Sequence, residues 1–555
     1  MIDALQAFVV VAVLGAALGS GWALAPYVAR VLAGSPTFLD RLLGPLEKRT
    51  YRLIGTDPSS GMGWKQYFFA ALLLNVAQMA IAFLVLVGQG ALPLNPQGFP
   101  GMNWELAFNT VVSFASNTNL QHYAGESTLS YFSQMGAIQF LQFTSAATGV
   151  CVMAAMVRGF KRGSANMGNF YVDFVRVVSR ILLPLCLVAA VVMVALGVPQ
   201  TLGGYITVKT VEGATQRLLV GPVASLVSIM QIGTNGGGYF GANSAYPFQN
   251  PTPITDILQI YLMLLLPTTL VFAFGELVGK KRETLPILIA SYGLLAIDLM
   301  IAFIPSMAAV GPGIEARFGA FFSTFWTVVT TAVTTGSVNS SLAGNNPLAI
   351  LSAFMGMVIQ ATPGGEGVGI MYMIMYIVIT VFVVGLMTGR TPEYLGAKIN
   401  ARDVKLVMVA FLIHPVIILV PTVLAYATKA VNAIPGFSSL PTSVGFTQIL
   451  YEFTSSAANN GSDFLGAAAN TPFFNIATAV VILVGRFAPI MVLLALSGSM
   501  IGRRRSESQT LRTDSGPFSL VLTGSIVLLA VLTFLPFLML GPILTYFQGL
   551  VNFLG

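Results

Sequence analysis

Gly233-Thr234-Asn235-Gly236-Gly237-Gly238 follows a moderately apolar run, Pro222–Ile232, and precedes a long apolar stretch beginning near Ile254. A bilayer span needs about 20 apolar residues, so the run before the glycines is too short to cross. It predicts a re-entrant or interfacial helix that ends in a polar loop. The same unit recurs three more times. Glu105–Ala115 leads into Asn117-Thr118-Asn119, Ala320–Val333 into Thr334-Thr335-Gly336, and Gly445–Ala458 into Asn459-Asn460-Gly461. Aligned on these cores, three loops place glycine at the third position (Gly236, Gly336, Gly461) and the first places Asn119. Span, short helix, polar loop, span is thus a fourfold repeat, and repeats of this kind imply pseudo-symmetry around a shared axis.

The rest of the chain supports that frame. Of 555 residues, 55% are hydrophobic and 8% charged, against roughly 25% charged in a soluble domain. Spans are predicted near Leu5–Leu32, Trp64–Gly90, Thr128–Val157, Asp173–Gly197, Ile254–Gly279, Leu285–Ile304, Leu348–Met387, Val404–Thr428, Phe473–Ile501 and Phe518–Tyr546. The fold class is therefore all-α and polytopic, with four membrane-pore-membrane repeats around a pseudo-four-fold axis and two flanking helices. The expected divisions are 1–63 (first span and loop), 64–160, 161–282, 283–402 and 403–505 (pore repeats one to four), and 506–555 (last span).

The formal charge of +7 resides in loops. Arg41, Lys48, Arg49 and Arg52 follow the first span. Arg158, Lys161 and Arg162 follow the third, and Lys280, Lys281 and Arg282 the fifth. Arg390, Lys398, Arg402 and Lys405 follow the seventh, and Arg503, Arg504, Arg505 and Arg512 the ninth. Alternating spans put all of these on one side, which the positive-inside rule makes cytoplasmic, with both termini outside. This distribution argues against nucleic acid as a partner; membrane lipid is the expected surround. The stretch before the first apolar run holds Asp3 and no basic residue, which fits a first span better than a cleaved signal. Cys151 and Cys186 lie in apolar spans without metal-ligand spacing and are expected to be buried, inert thiols.

The loop chemistry points to a monovalent cation. Rings of backbone carbonyls can replace the hydration shell of potassium, and aiming them needs backbone angles, including positive φ, that glycine adopts freely and asparagine tolerates. Carboxylates, which calcium or magnesium would want, are nearly absent from the cores, with Glu126 and Asp463 nearby. Each short helix directs its negative C-terminal end at the loop. The filter is thus expected at Asn117, Thr118, Asn119, Thr234, Asn235, Gly236, Thr334, Thr335, Gly336, Asn459, Asn460 and Gly461, with Gln121 supporting the first loop and Gly237 the second.

The sequence resembles the A subunits of bacterial Kdp potassium-transporting ATPases. The likeness rests on Leu92-Pro93-Leu94-Asn95-Pro96, on Ser113-Phe114 through Asn117-Thr118-Asn119 and Gln121 to Gly125-Glu126, and on Gly233 through Gly238 with Ala242-Asn243-Ser244 to Pro253. Gly389-Arg390-Thr391-Pro392-Glu393-Tyr394-Leu395-Gly396 and Asn459-Asn460-Gly461-Ser462 extend it. It covers essentially the whole chain, the third loop being least distinctive. It implies a non-catalytic, potassium-selecting component in the bacterial inner membrane. Its implied partners are the B, C and F subunits of the Kdp complex, of which B is the P-type ATPase and F is small. It also implies an intramembrane tunnel toward that ATPase. No Walker A or Asp-Lys-Thr-Gly motif is present, so nucleotide is not expected on this chain. Gly311-Pro312-Gly313-Ile314-Glu315-Ala316 matches a loose dinucleotide pattern without βαβ context and is read as chance.

The seventh span is interrupted by Thr362-Pro363-Gly364-Gly365-Glu366-Gly367-Val368-Gly369. Broken helices in transporters line the ion path, so Gly364, Gly365, Glu366 and Gly367 are gate candidates below the filter. Glu366 either attracts a cation or caps a helix fragment. Asp298, an intramembrane carboxylate, either lines the tunnel or pairs with Arg486. His122 and His414 are too distant in sequence for a metal site, and His122 is expected at the outer surface. Two alternatives stand beside this reading: a self-sufficient potassium or sodium channel-like transporter of the same superfamily, and an intramembrane enzyme, for which no nucleophile-base pattern is found.

Overall fold

The computed structural model describes residues 4–304, 313–505 and 511–554. Among them, ten helices are long and apolar enough to cross a membrane: Ala4–Ala33, Trp64–Ala91, Tyr131–Phe160, Phe170–Ala195, Pro253–Val278, Lys281–Ala302, Val368–Thr388, Ala401–Ala427, Pro472–Met500 and Gly516–Val551. Nine of these match the expected spans to within about five residues, and the seventh begins at Val368, twenty residues after the expected Leu348. Asp3, Gly311 and Pro312, used in the sequence reading, lie outside the described residues.

Local chemistry sets the helix starts. Thr252 and Asn400 cap the helices beginning at Pro253 and Ala401, and Pro253 and Pro472 occupy first-turn positions where the missing N–H costs nothing. The four short helices run Trp104–Ala115, Val223–Ile232, Gly319–Ala332 and Thr442–Ala457. The seventh span is two pieces, Pro347–Ile359 and Val368–Thr388, joined by the glycine-rich segment. Burial separates centre from rim. The most apolar window of the third span is 89% buried, that of the first 17%, so the third packs centrally and the first lies at the edge.

The basic loops meet at one end. Arg158 donates to the Leu32 carbonyl at 2.6 Å, Arg503 to that of Lys398 at 2.8 Å, Arg505 to that of Gly159 at 3.2 Å, and Thr513 to Glu283 at 3.0 Å. Loops after the first, third, fifth, seventh and ninth spans therefore share a face, as alternation of ten spans requires. Some elements were not foreseen, among them a short strand pair, Glu393–Tyr394 with Ala397–Lys398. Asp40–Ile54 is an amphipathic helix whose Asp40 and Glu47 both pair with Arg180, and Ile206–Lys209 with Thr215–Leu218 forms an outer hairpin.

Arg158 also binds Asp173 through both guanidinium nitrogens, at 2.5 and 2.8 Å, and Tyr67 donates to the same carboxylate at 2.8 Å. Asp173 is buried. Removing one partner of a buried pair costs about 3–5 kcal/mol because the other charge is left uncompensated. Asp173→Ala is accordingly expected to lower the thermal midpoint of the detergent-purified protein, while Arg49→Ala on the exposed face leaves it unchanged.

Candidate ion-binding site

The four short helices end alike. The residue opening each polar core lies in the left-handed region: Asn117 at φ 67°, Thr234 at 36°, Thr334 at 51° and Asn459 at 52°. The following amide reaches back to the carbonyl five residues earlier, Thr118 to Ser113 at 2.9 Å, Asn235 to Met230 at 2.7 Å, Thr335 to Thr330 at 2.7 Å and Asn460 to Ser455 at 2.9 Å. This is the Schellman termination, in which one left-handed residue reverses the chain off the helix end. Four copies of one local solution bring the four loops to a common centre.

Side chains close the ring in order. Asn117 Nδ2 donates to the Thr234 carbonyl at 3.0 Å, Ser337 Oγ to Gln231 Oε1 at 3.1 Å, Asn460 Nδ2 to the Thr330 carbonyl at 3.0 Å and Asn459 Nδ2 to Thr118 Oγ1 at 2.9 Å. Each repeat is thus bonded to the next, including the fourth to the first, a seam no chain connection crosses.

The centre is defined by what surrounds Gly236. A Cβ there would stand 2.7 Å from the Asn460 carbonyl oxygen, 2.7 Å from that of Thr118 and 2.9 Å from that of Thr335. Three oxygens from three other loops, all at the second core position, converge on one point beside the second loop. Among the described residues no backbone hydrogen-bond donor claims them. By contrast, the Gly236, Gly237 and Gly238 carbonyls are bound by Asn243 at 2.8 Å, Gln142 at 2.9 Å and Gln121 at 3.2 Å, which fixes the outer wall of the second loop. Thr335 Oγ1 and both amide atoms of Asn119 are buried without a partner.

Two expectations about glycine separate here. At the third core position Asn119, Gly336 and Gly461 have φ of 55°, 83° and 101°, but Gly236 has no positive φ. Gly236 is required by space rather than by backbone angle. At Gly336 and Gly461 both reasons act, since an added Cβ would come 1.8 Å from the Asn460 oxygen and 1.9 Å from the Thr118 oxygen respectively.

The break in the seventh span lies directly against these loops. A Cβ at Gly365 would stand 2.2 Å from Thr334 Oγ1 and 3.1 Å from Thr234 Oγ1, and the Gly364 amide, at φ 73°, donates to the Ala332 carbonyl at 3.3 Å. Gly367, φ 77°, abuts the Gly149 carbonyl. Glu366 is buried, and its Oε2 accepts from Asn117 Nδ2 at 3.1 Å. Arg486 donates to the Ser145 carbonyl at 3.1 Å, and Ser145 Oγ to Asn117 Oδ1 at 2.9 Å. Glu366, Arg486 and the first loop are therefore one polar network.

Several expectations are corrected. Asp298 does not pair with Arg486: it is buried in the sixth span, where its carbonyl accepts from Ser352 Oγ at 2.8 Å, while Arg486 faces Glu366. Gln121 supports the second loop rather than the first, holding both the amide and the carbonyl of Gly238 at 3.0 and 3.2 Å. His122 is not at the surface but buried, bonded to Asn475 at 2.7 Å and Glu452 at 3.1 Å. Asn243, Gln142, Gln231 and Trp326, whose Nε1 donates to the Ser337 carbonyl at 2.7 Å, were not foreseen as wall residues. Gln142 stands in the third span beside other polar residues, Gln134, Gln139, Thr144 and Ser145, so its type alone does not single it out. Among the described residues no group of three or more His, Cys, Asp or Glu could hold a metal ion, so the candidate ligands at the ring are carbonyl and hydroxyl oxygens.

Comparison with known proteins agrees with this architecture. The crystal structure of the potassium transporter TrkH from Vibrio parahaemolyticus superposes with a TM-score of 0.51 at 16% identity, covering 89% of this chain and 98% of that one, a likeness of fold. Two relatives named potassium-transporting ATPase potassium-binding subunit are similar over nearly their whole length. That of Gloeobacter violaceus is 43% identical over 95% of both chains, and that of Caldanaerobacter subterraneus 41% identical over 94% of this chain and 95% of its own. A third, from Alicyclobacillus acidocaldarius, is 43% identical over 95% and 96%. The family described as Potassium-transporting ATPase A subunit matches residues 9–547, and the chain belongs to that family.

Proposed function

We propose that this chain is the potassium-binding component of an ATP-driven potassium importer. It takes the ion from outside into the four-loop ring and passes it through the membrane interior toward a P-type ATPase partner. The observation that carries the reading is the convergence of the Thr118, Thr335 and Asn460 carbonyl oxygens beside Gly236. Carbonyl rings replace the hydration of a potassium ion without a fixed countercharge. The C-terminal ends of four helices add negative potential at the same place.

The filter proper is Asn117 to Asn119, Thr234 to Gly236, Thr334 to Gly336 and Asn459 to Gly461, with Gln121 and Gly237 as wall. The loop holding Gly364, Gly365, Glu366 and Gly367 lies against the inner side of the ring and obstructs a straight path. An ion leaving the filter is turned sideways there. Repeat limits of 64–160, 161–282, 283–402 and 403–505 suit this division. The names of the relatives and the family description support a complex with an ATPase, here assigned as the Kdp complex with its B, C and F subunits. In that assignment the chain sits in the bacterial inner membrane with both termini outside.

Copurification tests this. The chain expressed with its neighbouring gene products is expected to bring down a phosphorylatable partner whose ATPase activity potassium stimulates. Potassium flux from this chain alone in vesicles, with no copurifying ATPase, would select the self-sufficient channel-like transporter instead.

A further inference from the structure

His122 lies three residues after the first filter loop and is fully buried, as is Glu452 of the fourth short helix. Its two ring nitrogens face Asn475 Oδ1 at 2.7 Å and Glu452 Oε1 at 3.1 Å. Both partners are acceptors. The Asn475 amide is oriented by its own Nδ2, which donates to Asn470 Oδ1 at 2.9 Å, so Oδ1 is left for the histidine. A neutral imidazole carries one N–H and cannot donate at both nitrogens, whereas the imidazolium can. Glu452 supplies the compensating charge, and its Oε2 is buried without a partner.

The location gives the pair a role. The first repeat meets the fourth at the one seam of the ring that the chain does not bridge. Across it, Asn109 donates to Asn475 and Thr478 of the ninth span at 2.9 and 2.7 Å, and Asn459 to Thr118 Oγ1. The His122–Glu452 contact at 3.1 Å crosses this seam, joining the exit of the first loop to the helix that presents the fourth. We propose that His122 is a positioning residue held as a buried imidazolium that clasps the ring shut, so that potassium affinity depends on its proton.

The charged groups facing His122 are Glu452 and Asp463, the latter two residues beyond Gly461. Burial pushes the His122 pKa down, but the Glu452 carboxylate, the Asn475 amide oxygen and the charge of Asp463 act together the other way and the net direction is upward. Burial, then the charge of Glu452, pushes Asp463 up as well. A histidine whose folded pKa is raised stabilises the protein below its ordinary value of about 6.5 and loses that contribution as pH rises through the folded value. The clasp is therefore closed in mildly acidic solution and loosens toward alkaline pH.

This inference rests on the filter reading, and its test separates the two. The complete complex, wild type, His122→Gln and Glu452→Gln, is titrated with potassium for ATPase stimulation between mildly acidic and alkaline pH and melted over the same range without potassium. In the wild type, half-stimulating potassium is expected to rise and the melting midpoint to fall with pH. His122→Gln is expected to need about tenfold more potassium at the acidic end, the scale of a lost charge-assisted bond, and to show flatter profiles. Glu452→Gln moves both changes to lower pH, because the imidazolium loses its counterion. Wild-type pH profiles in His122→Gln overturn the proposal; should that variant not assemble, an unmoved profile in Glu452→Gln does so. If instead the filter reading fails, the potassium titrations lose their meaning, but melting without potassium still reports whether the clasp titrates.

Discussion

Gly236→Ala is expected to raise the potassium concentration for half-maximal ATPase stimulation by about 10- to 100-fold, the range set by an overpacking cost of about 1–3 kcal/mol. The backbone of Gly236 has no positive φ, so alanine suits its conformation and the substitution tests space alone. The added methyl would stand within 3 Å of the Thr118, Thr335 and Asn460 carbonyl oxygens together, which must splay apart or lose the ion. Gly236→Asp adds a charge at the same point and is expected to alter selectivity among monovalent cations as well. Gly293→Ala is the matched control, since a Cβ there meets nothing within 4 Å. Equal affinity in Gly236→Ala and Gly293→Ala would remove Gly236 from the site.

Arg486→Met is expected to impair transport and to lower the melting temperature, because the buried Glu366 carboxylate loses the nearby positive charge and the Ser145 carbonyl loses its donor. Arg486 is buried in the ninth span, bonded to the Ser145 carbonyl at 3.1 Å and facing Glu366. Without it, the Glu366 carboxylate loses its facing cation and leans on neutral donors such as the Asn117 amide. Because that amide also holds the Gly233 and Thr234 carbonyls, strain at Glu366 reaches the ring. Adding Glu366→Gln to Arg486→Met is expected to restore much of the melting temperature, since the buried charge is gone. A double-mutant cycle gives the coupling, and strictly additive effects would show that the two side chains act separately.

The fold was legible because its signals are long and local. Ten apolar runs, four shorter ones, and basic loops on one side by alternation specify the order of elements before any contact is known. The four loop cores were legible as chain reversals for a related reason: the left-handed helix ending is a local structure, and asparagine or threonine stands where it occurs four times. Much of what surrounds the cores depends on contacts between distant residues, such as Gln121 with Gly238, 117 positions apart. Nothing in the sequence around Gln121 says that its amide binds Gly238 of another repeat, and His122 reads as an exposed polar residue until Glu452 is brought against it. Gly236 shows the same limit. Its type was expected, but the reason is three oxygens supplied by distant loops.

The central claim is that the ion sits between those oxygens. Anomalous scattering from crystals of the complex grown with thallium(I) in place of potassium locates it directly. The strongest peak is predicted beside Gly236, among the carbonyl oxygens of Thr118, Thr335 and Asn460. A strongest peak beside Glu366, or between Glu452 and Asp463, with none at the ring would contradict the account.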